Sequence, residues 1–171
     1  MNYLGLVGKK QSGKDTAYEA LKAQYGKAVA RLSFADALKL EICEQLRADP
    51  ALLEANKNLP PFRKLHQNYG EWRRSQCEDY WLKKIEGATW PKEVQLVVVT
   101  DCRFLNEAEW IRNKKGKLVR IFRPDLVAED THASEVEQDK ILVDYTIWND
   151  QTKLRLEKQI VDAVRNVFKL L

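Results

Sequence analysis

The stretch that most limits how this chain can fold lies near its start: Gly8-Lys9-Lys10-Gln11-Ser12-Gly13-Lys14-Asp15-Thr16. A short apolar run, Tyr3 to Val7, leads into it. Out of it comes Lys14 to Tyr25, where Ala17, Ala20, Leu21 and Gln24 recur at helical spacing until Gly26. A buried strand that enters a glycine-flanked loop and leaves as a helix turns backbone N–H groups toward an anion. The glycines permit the tight turn, and the positive end of the helix points at the same spot. Gly8, Lys9, Ser12, Gly13, Lys14, Asp15 and Thr16 are thus expected to cradle phosphates, with Lys14 able to reach the β- and γ-phosphates of a polyphosphate ligand. The hydroxyl residue that usually follows the lysine and holds Mg2+ is replaced by Asp15. A carboxylate also ligates Mg2+, and Thr16 stands next to bond the α-phosphate.

The rest of the chain continues the alternation. Strands are predicted at Ala28 to Phe34, Val94 to Thr100, Leu118 to Phe122 and Asp144 to Trp148. Helices are predicted at Asp36 to Arg47 (Leu38, Ile42 and Leu46 on one face), Phe62 to Glu86, Phe104 to Lys115 and Asp150 to Leu171, the last with Leu154, Ile160, Val161, Val164 and Phe168. Asp49 to Pro61 and Arg123 to Gln138 read as polar and irregular. Val94 to Thr100 is apolar on both faces, as a central parallel strand must be. Strands alternating with helices predict a three-layer α/β fold: a parallel sheet between helices, joined by right-handed crossovers. The 171 residues suit a single domain, 1–171. Within it, residues 49–90 form a helical insertion and residues 123–138 a short lid.

Four further segments carry chemistry. Val97-Val98-Val99-Thr100-Asp101-Cys102-Arg103-Phe104-Leu105-Asn106-Glu107 puts an aspartate at the C-terminal end of a buried strand, where α/β sheets bind ligands. Asp101 can orient a hydrogen-bonded acceptor or a Mg2+-bound water, or simply cap the next helix. Arg103 can grip a phosphate with two N–H groups, and Asn106 and Glu107 open the following helix. Arg120-Ile121-Phe122-Arg123-Pro124 with Thr131-His132-Ala133-Ser134-Glu135 reads either as a lid over the phosphates or as a surface loop with a capped helix at Ser134. In Leu32-Ser33-Phe34-Ala35-Asp36-Ala37-Leu38-Lys39, Phe34 and Asp36 close a strand on the ligand side and Lys39 can meet an acceptor's phosphate; Asp36 can equally be a helix cap. His66 to Arg74 with Tyr80-Trp81 offers charge for phosphate (Arg73, Arg74) and ring faces for a base (Tyr69, Trp81), unless the aromatics are core.

Composition narrows the class. The net charge of +4 suits anionic ligands without calling for a nucleic-acid partner. The three cysteines at 43, 77 and 102 form no CxxC, so neither a disulfide framework nor a structural zinc site is expected, and a reducing cytoplasm is. The opening MNYLGLVGKK lacks the pattern of a secretory signal, and no apolar run approaches the ~20 residues of a membrane span.

Taken in order, GKKQSGKDT, SFADALK, VVTDCRFLNEAEWI, RIFRP, HASE and the closing DYTIWND resemble the deoxynucleoside monophosphate kinases of bacteriophages over nearly the full length. The resemblance implies a nucleoside-monophosphate-kinase-like P-loop fold and transfer of phosphate from ATP, with Mg2+, to a deoxynucleoside monophosphate (dNMP) for dNTP synthesis. It implies that Lys14 and the loop glycines bind ATP, that Asp101 and Arg103 lie near the transferring phosphoryl group and that Arg123 belongs with the closing lid; Lys14, Asp101, Arg103 and Arg123 are accordingly expected to be catalytic, and the residues themselves offer Asp15 and Asp101 to the metal. The acceptor would fall to Phe34, Asp36, Lys39, Tyr69, Arg73, Arg74, Trp81, Arg103, Asn106 and Glu107, and the lid to His132, Ser134 and Glu135. It further implies a phage source, action in the host cytoplasm, no membrane or stable nucleic-acid partner, and allows a homodimer. The phosphomevalonate kinases are similar too, sharing a GKxxSGKD loop, a glycine-containing helix followed by basic residues (Gly70 to Arg74) and an aspartate-arginine pair. A nucleotide-binding module without transfer activity is the alternative from outside the enzymes.

Overall fold

A computed structural model describes residues 1–56, 59–126 and 133–168, apart from the side chains of Ala133 and Ser134. The chain divides into two compact units: Met1–Leu32 with Trp90–Leu171, and Ser33–Thr89. The second unit therefore begins at Ser33 rather than at residue 49.

The first unit is a three-layer α/β structure. Its strands are β1 (Asn2–Val7), β2 (Val29–Leu32), β3 (Leu96–Val99), β4 (Lys117–Phe122) and β5 (Tyr145–Trp148). They form one sheet in the order β2-β3-β1-β4-β5, and every pairing is parallel. The central strands are the apolar ones, since both faces are covered: Leu96, Val97, Val98 and Val99 of β3 are all fully buried. One face carries helices α1 (Lys14–Tyr25) and α8 (Lys153–Phe168), which meet Leu4, Leu6, Val98, Val119 and Ile121 through Ala17, Leu21, Leu156, Ile160 and Val164. The other face carries the helix Leu105–Asn113 (α6), whose Ile111 is also buried. Leu156, Ile160 and Val164 repeat every four residues, so Leu154, expected on the apolar stripe, points away and is 74% exposed.

The second unit is helical: α2 (Phe34–Leu46), α3 (Pro50–Asn56), α4 (Pro60–Gln76) and α5 (Tyr80–Ile85). Two expectations change here. The predicted strand ends at Leu32, and Phe34 is already the first residue of α2, because Ser33 caps the helix by accepting a hydrogen bond from the Asp36 N–H at 3.2 Å. The cap is Ser33, not Asp36. The predicted loop of residues 49–61 contains α3, and α4 begins within it. Pro50 and Pro60 start these helices rather than break them, since the N–H of a first-turn residue has no partner within the helix to lose; Asp49 Oδ1 accepts from the Ala51 N–H at 2.8 Å to close the first of them. Leu53 of α3 joins Ile42 and Cys43 in a small core with Leu38, Phe62, Leu65 and Tyr69. Leu46, expected on that buried face, is 59% exposed.

In the first unit, the segment after Phe122 gains a short helix, α7 (Ala133–Val136), and a 3-10 turn over Glu137–Lys140. Residues 127–132, including His132, lie outside the described residues.

Candidate active site

Because all five strands run the same way, the segments that leave them emerge on one edge of the sheet. The loop of residues 8–13 follows β1, Asp101 follows β3, Arg123 follows β4 and Asn149 follows β5. These are four neighbouring strands, so residues far apart in sequence share one rim, the rim at which parallel sheets bind ligands.

The loop itself is built by two glycines in conformations closed to other residues. Gly13 has φ 110°, and a Cβ there would lie 2.8 Å from both the Asn149 side-chain nitrogen and Leu156. Gly8 has φ 151°, and a Cβ would lie 2.5 Å from the Ile121 carbonyl oxygen. Ser12 N–H closes the turn onto Lys9 O at 3.1 Å. Asn149 then ties the loop to β5 by donating from Nδ2 to Ser12 O at 2.8 Å. The Ser12 hydroxyl is buried without a hydrogen-bond partner.

Lys14, in the first turn of α1, is nearly buried at 9% exposure. Its Nζ folds back to donate to Gly8 O and, at 2.8 Å, to Lys9 O. Burial first, and then the Arg103 charge, pull its pKa down from 10.5 to about 8, while Glu135, Asp15 and Asp101 hold it up. Both candidate metal residues thus act electrostatically on the lysine. Arg103 donates from its guanidinium to Glu135 Oε1. Glu135 Oε2 accepts from the Lys10 N–H at 3.3 Å and from Gln138 Nε2 at 2.9 Å. Beside the loop opens a polar cleft of ≈ 460 Å³, lined by Gln11, Gly13 to Thr16, Arg123, Asp125, Asn149 to Gln151, Lys153 and Leu156.

Other expected site residues are placed differently. Glu107 is buried and accepts from the backbone N–H groups of Arg103 (2.8 Å) and Phe104 (3.2 Å), so it closes the start of its own helix; Asn106 lies in the same first turn. Cys102 is buried and its thiol is pushed well above its ordinary pKa, by burial first and then by the Glu107 and Asp101 charges, which leaves it inert.

Within the second unit, Trp81 is core: 2% exposed, with its indole N–H toward Gly70 O at 3.4 Å. It has no open ring face for a base. Phe34 is also buried, at 4%. Lys39 pairs with Glu54 at 2.7 Å and lies 3.9 Å from Asp36. Arg74 occupies the last turn of α4. Tyr69 and Arg73 converge on Glu41, a residue whose importance sequence reading missed. Glu41 accepts from Tyr69 (2.9 Å), Arg73 (2.6 Å), Tyr80 (2.8 Å) and Lys84 (2.8 Å). Trp72, half exposed, carries the Arg73 guanidinium on its ring, 4.5 Å from the centroid. Asn149 was missed as well; an Asn directly after the last strand was its only local signal.

Known proteins place this geometry. The family model for phosphomevalonate kinase matches residues 6–117. A protein of Acanthamoeba polyphaga mimivirus, provisionally named a deoxynucleotide monophosphate kinase, is 30% identical over 99% of this chain and 100% of its own length. Among solved structures, shikimate kinase from Aquifex aeolicus is similar with a TM-score of 0.50 at 15% identity, covering 96% of both chains, a likeness of fold alone. Dephospho-CoA kinase from Campylobacter jejuni gives 0.49 at 16% identity over 98% of both. The chain belongs to the phosphomevalonate kinase family and is a P-loop kinase, an enzyme that transfers phosphate.

Proposed function

We propose that this enzyme moves the γ-phosphoryl group of ATP to the α-phosphate of a dNMP, giving a dNDP for dNTP synthesis, as a virus-encoded enzyme acting in the host cytoplasm. The observation that carries the choice of acceptor is the full-length relative in mimivirus, whose provisional name states deoxynucleotides. The description of the family model favours phosphomevalonate as the second reading, over residues 6–117.

In this reading the polyphosphate of ATP lies on the loop of residues 8–13, and the rest of the donor occupies the cleft between Arg123 and Asn149 to Gln151. Lys14, released from the Gly8 and Lys9 carbonyls, turns to the β- and γ-phosphates. Arg103 and Arg123 neutralise charge on the transferring group. The acceptor phosphate is already ionised near neutral pH, so no protein group need remove a proton; positioning and charge do the work. The acceptor falls to Tyr69, Trp72 and Arg73 with Lys39 and Arg74, since Trp72 rather than Trp81 has an exposed ring.

Asp15 lines the cleft and Asp101 acts on the same lysine. Mg2+ usually takes one or two protein carboxylates beside phosphate oxygens and water, and this pair fits that demand. Mg2+ would neutralise charge on the β- and γ-phosphate oxygens when bound. A panel of dNMPs with ATP and Mg2+, read as ADP release and run beside phosphomevalonate, tests the proposal. Turnover with at least one dNMP and none with phosphomevalonate is expected; the reverse pattern would overturn it.

A further inference from the structure

The carboxylate of Glu135 is an acid in a site that must bind an acid. Its side chain is 6% exposed. One oxygen accepts from the Arg103 guanidinium, and the other from the Lys10 N–H of the phosphate loop. Those are donors suited to a polyphosphate: a backbone amide of the loop and an arginine that follows β3. Gln138, 1% exposed, donates to the second oxygen at 2.9 Å and to the Glu135 carbonyl at 3.2 Å, which fixes the carboxylate's direction. Gln138 is in turn anchored, because its carbonyl accepts from Arg120 of β4 at 2.9 Å. The acid is thus aimed at the loop by a chain of buried contacts that starts in the sheet.

We propose that Glu135 is a positioning residue that stands in for phosphate: it holds the Arg103 guanidinium and the Lys10 amide in place until nucleotide arrives, and the polyphosphate then takes those donors from it. The inference rests on the reading of residues 8–13 as the phosphate site, though not on the identity of the acceptor. It accounts for an otherwise awkward arrangement. Arg103 and Lys14 repel each other in a largely buried place; Asp15 and Asp101 offset part of this, and the largest share falls to an anion bonded to Arg103 itself. Glu135 supplies that anion at the cost of competing with the ligand.

Inorganic tripolyphosphate is the probe, with its Kd measured by calorimetry at pH 7. Glu135→Gln keeps the shape and removes the charge, and it should bind tripolyphosphate about tenfold tighter than wild type, the effect of one charge-assisted hydrogen bond no longer displaced. Glu137→Gln removes the same charge two residues away, where the carboxylate accepts from the Leu105 N–H at 3.0 Å instead of touching the loop. It should change Kd by no more than about twofold. In an Arg103→Gln background, the gain from Glu135→Gln should shrink to about twofold as well. Should Glu135→Gln fail to fold, Glu135→Asp, too short to span both donors, should still bind about threefold tighter. Unchanged or weaker binding by a folded Glu135 variant, or an equal gain in Glu137→Gln, would overturn the exchange. A wild type that binds tripolyphosphate yet phosphorylates no dNMP would remove the acceptor reading alone.

Discussion

Lys14 shows how much one side chain depends on its surroundings. Its ammonium is buried against two loop carbonyls and faces Arg103, so it holds its proton only up to about pH 8. Lys14→Ala should lower kcat by at least about a hundredfold while the fold persists, because charge aimed at the transferring phosphate is worth several kcal/mol; a fully active variant with native circular dichroism would contradict the role. The pKa gives a second expectation. Above pH 8 the ammonium is lost and polyphosphate affinity should fall. Bound phosphates restore the charge, so binding near pH 8.5 should take up a proton, seen as a heat that differs between buffers of different ionisation enthalpy. The folded protein releases this proton before the unfolded chain does, so this group adds stability as pH rises from about 8 toward 10.5. The place of Lys14 at the end of the loop, opening α1, was legible in the sequence because the loop's spacing is local. Asn149 was not read as a loop contact and Glu135 only as part of a lid, since they touch the loop from 137 and 125 residues away.

Among the elements, the strands and most helices were legible from apolar periodicity, and the misreadings have physical causes. Prolines at 50 and 60 read as punctuation, yet they open α3 and α4. The glutamate in α2 was passed over, because its partners come from 28 to 43 residues further along the chain. Burial alone would raise the Glu41 pKa, but hydrogen bonds from Lys84, Tyr80, Tyr69 and Arg73 outweigh it and hold the carboxyl at about 2. Its stabilising effect is therefore complete above about pH 4.5 and lost as pH falls toward 2. Glu41→Gln should destabilise the second unit by about 3 kcal/mol, since it leaves Arg73 and Lys84 without their anion. Urea unfolding at pH 7 checks this, and the deficit should shrink at pH 3. Ser33→Ala should cost about 1 kcal/mol by removing the cap of α2.

For the molecule as a whole, the strand order β2-β3-β1-β4-β5 gathers the loop, Asp101, Arg103, Arg123 and Asn149 on one edge of the parallel sheet. Alternating strands and helices announced that edge in the sequence. Which phosphorylated acceptor the enzyme takes was open to resemblance alone, because an acceptor is selected by the shape of a pocket and shape has no local signature. The most direct measurement is 31P NMR of the enzyme with ATP, Mg2+ and each dNMP in turn, beside phosphomevalonate. The expected result is the paired resonances of a dNDP growing as those of ADP appear. ADP forming with phosphomevalonate alone, or with no acceptor in the panel, would contradict it.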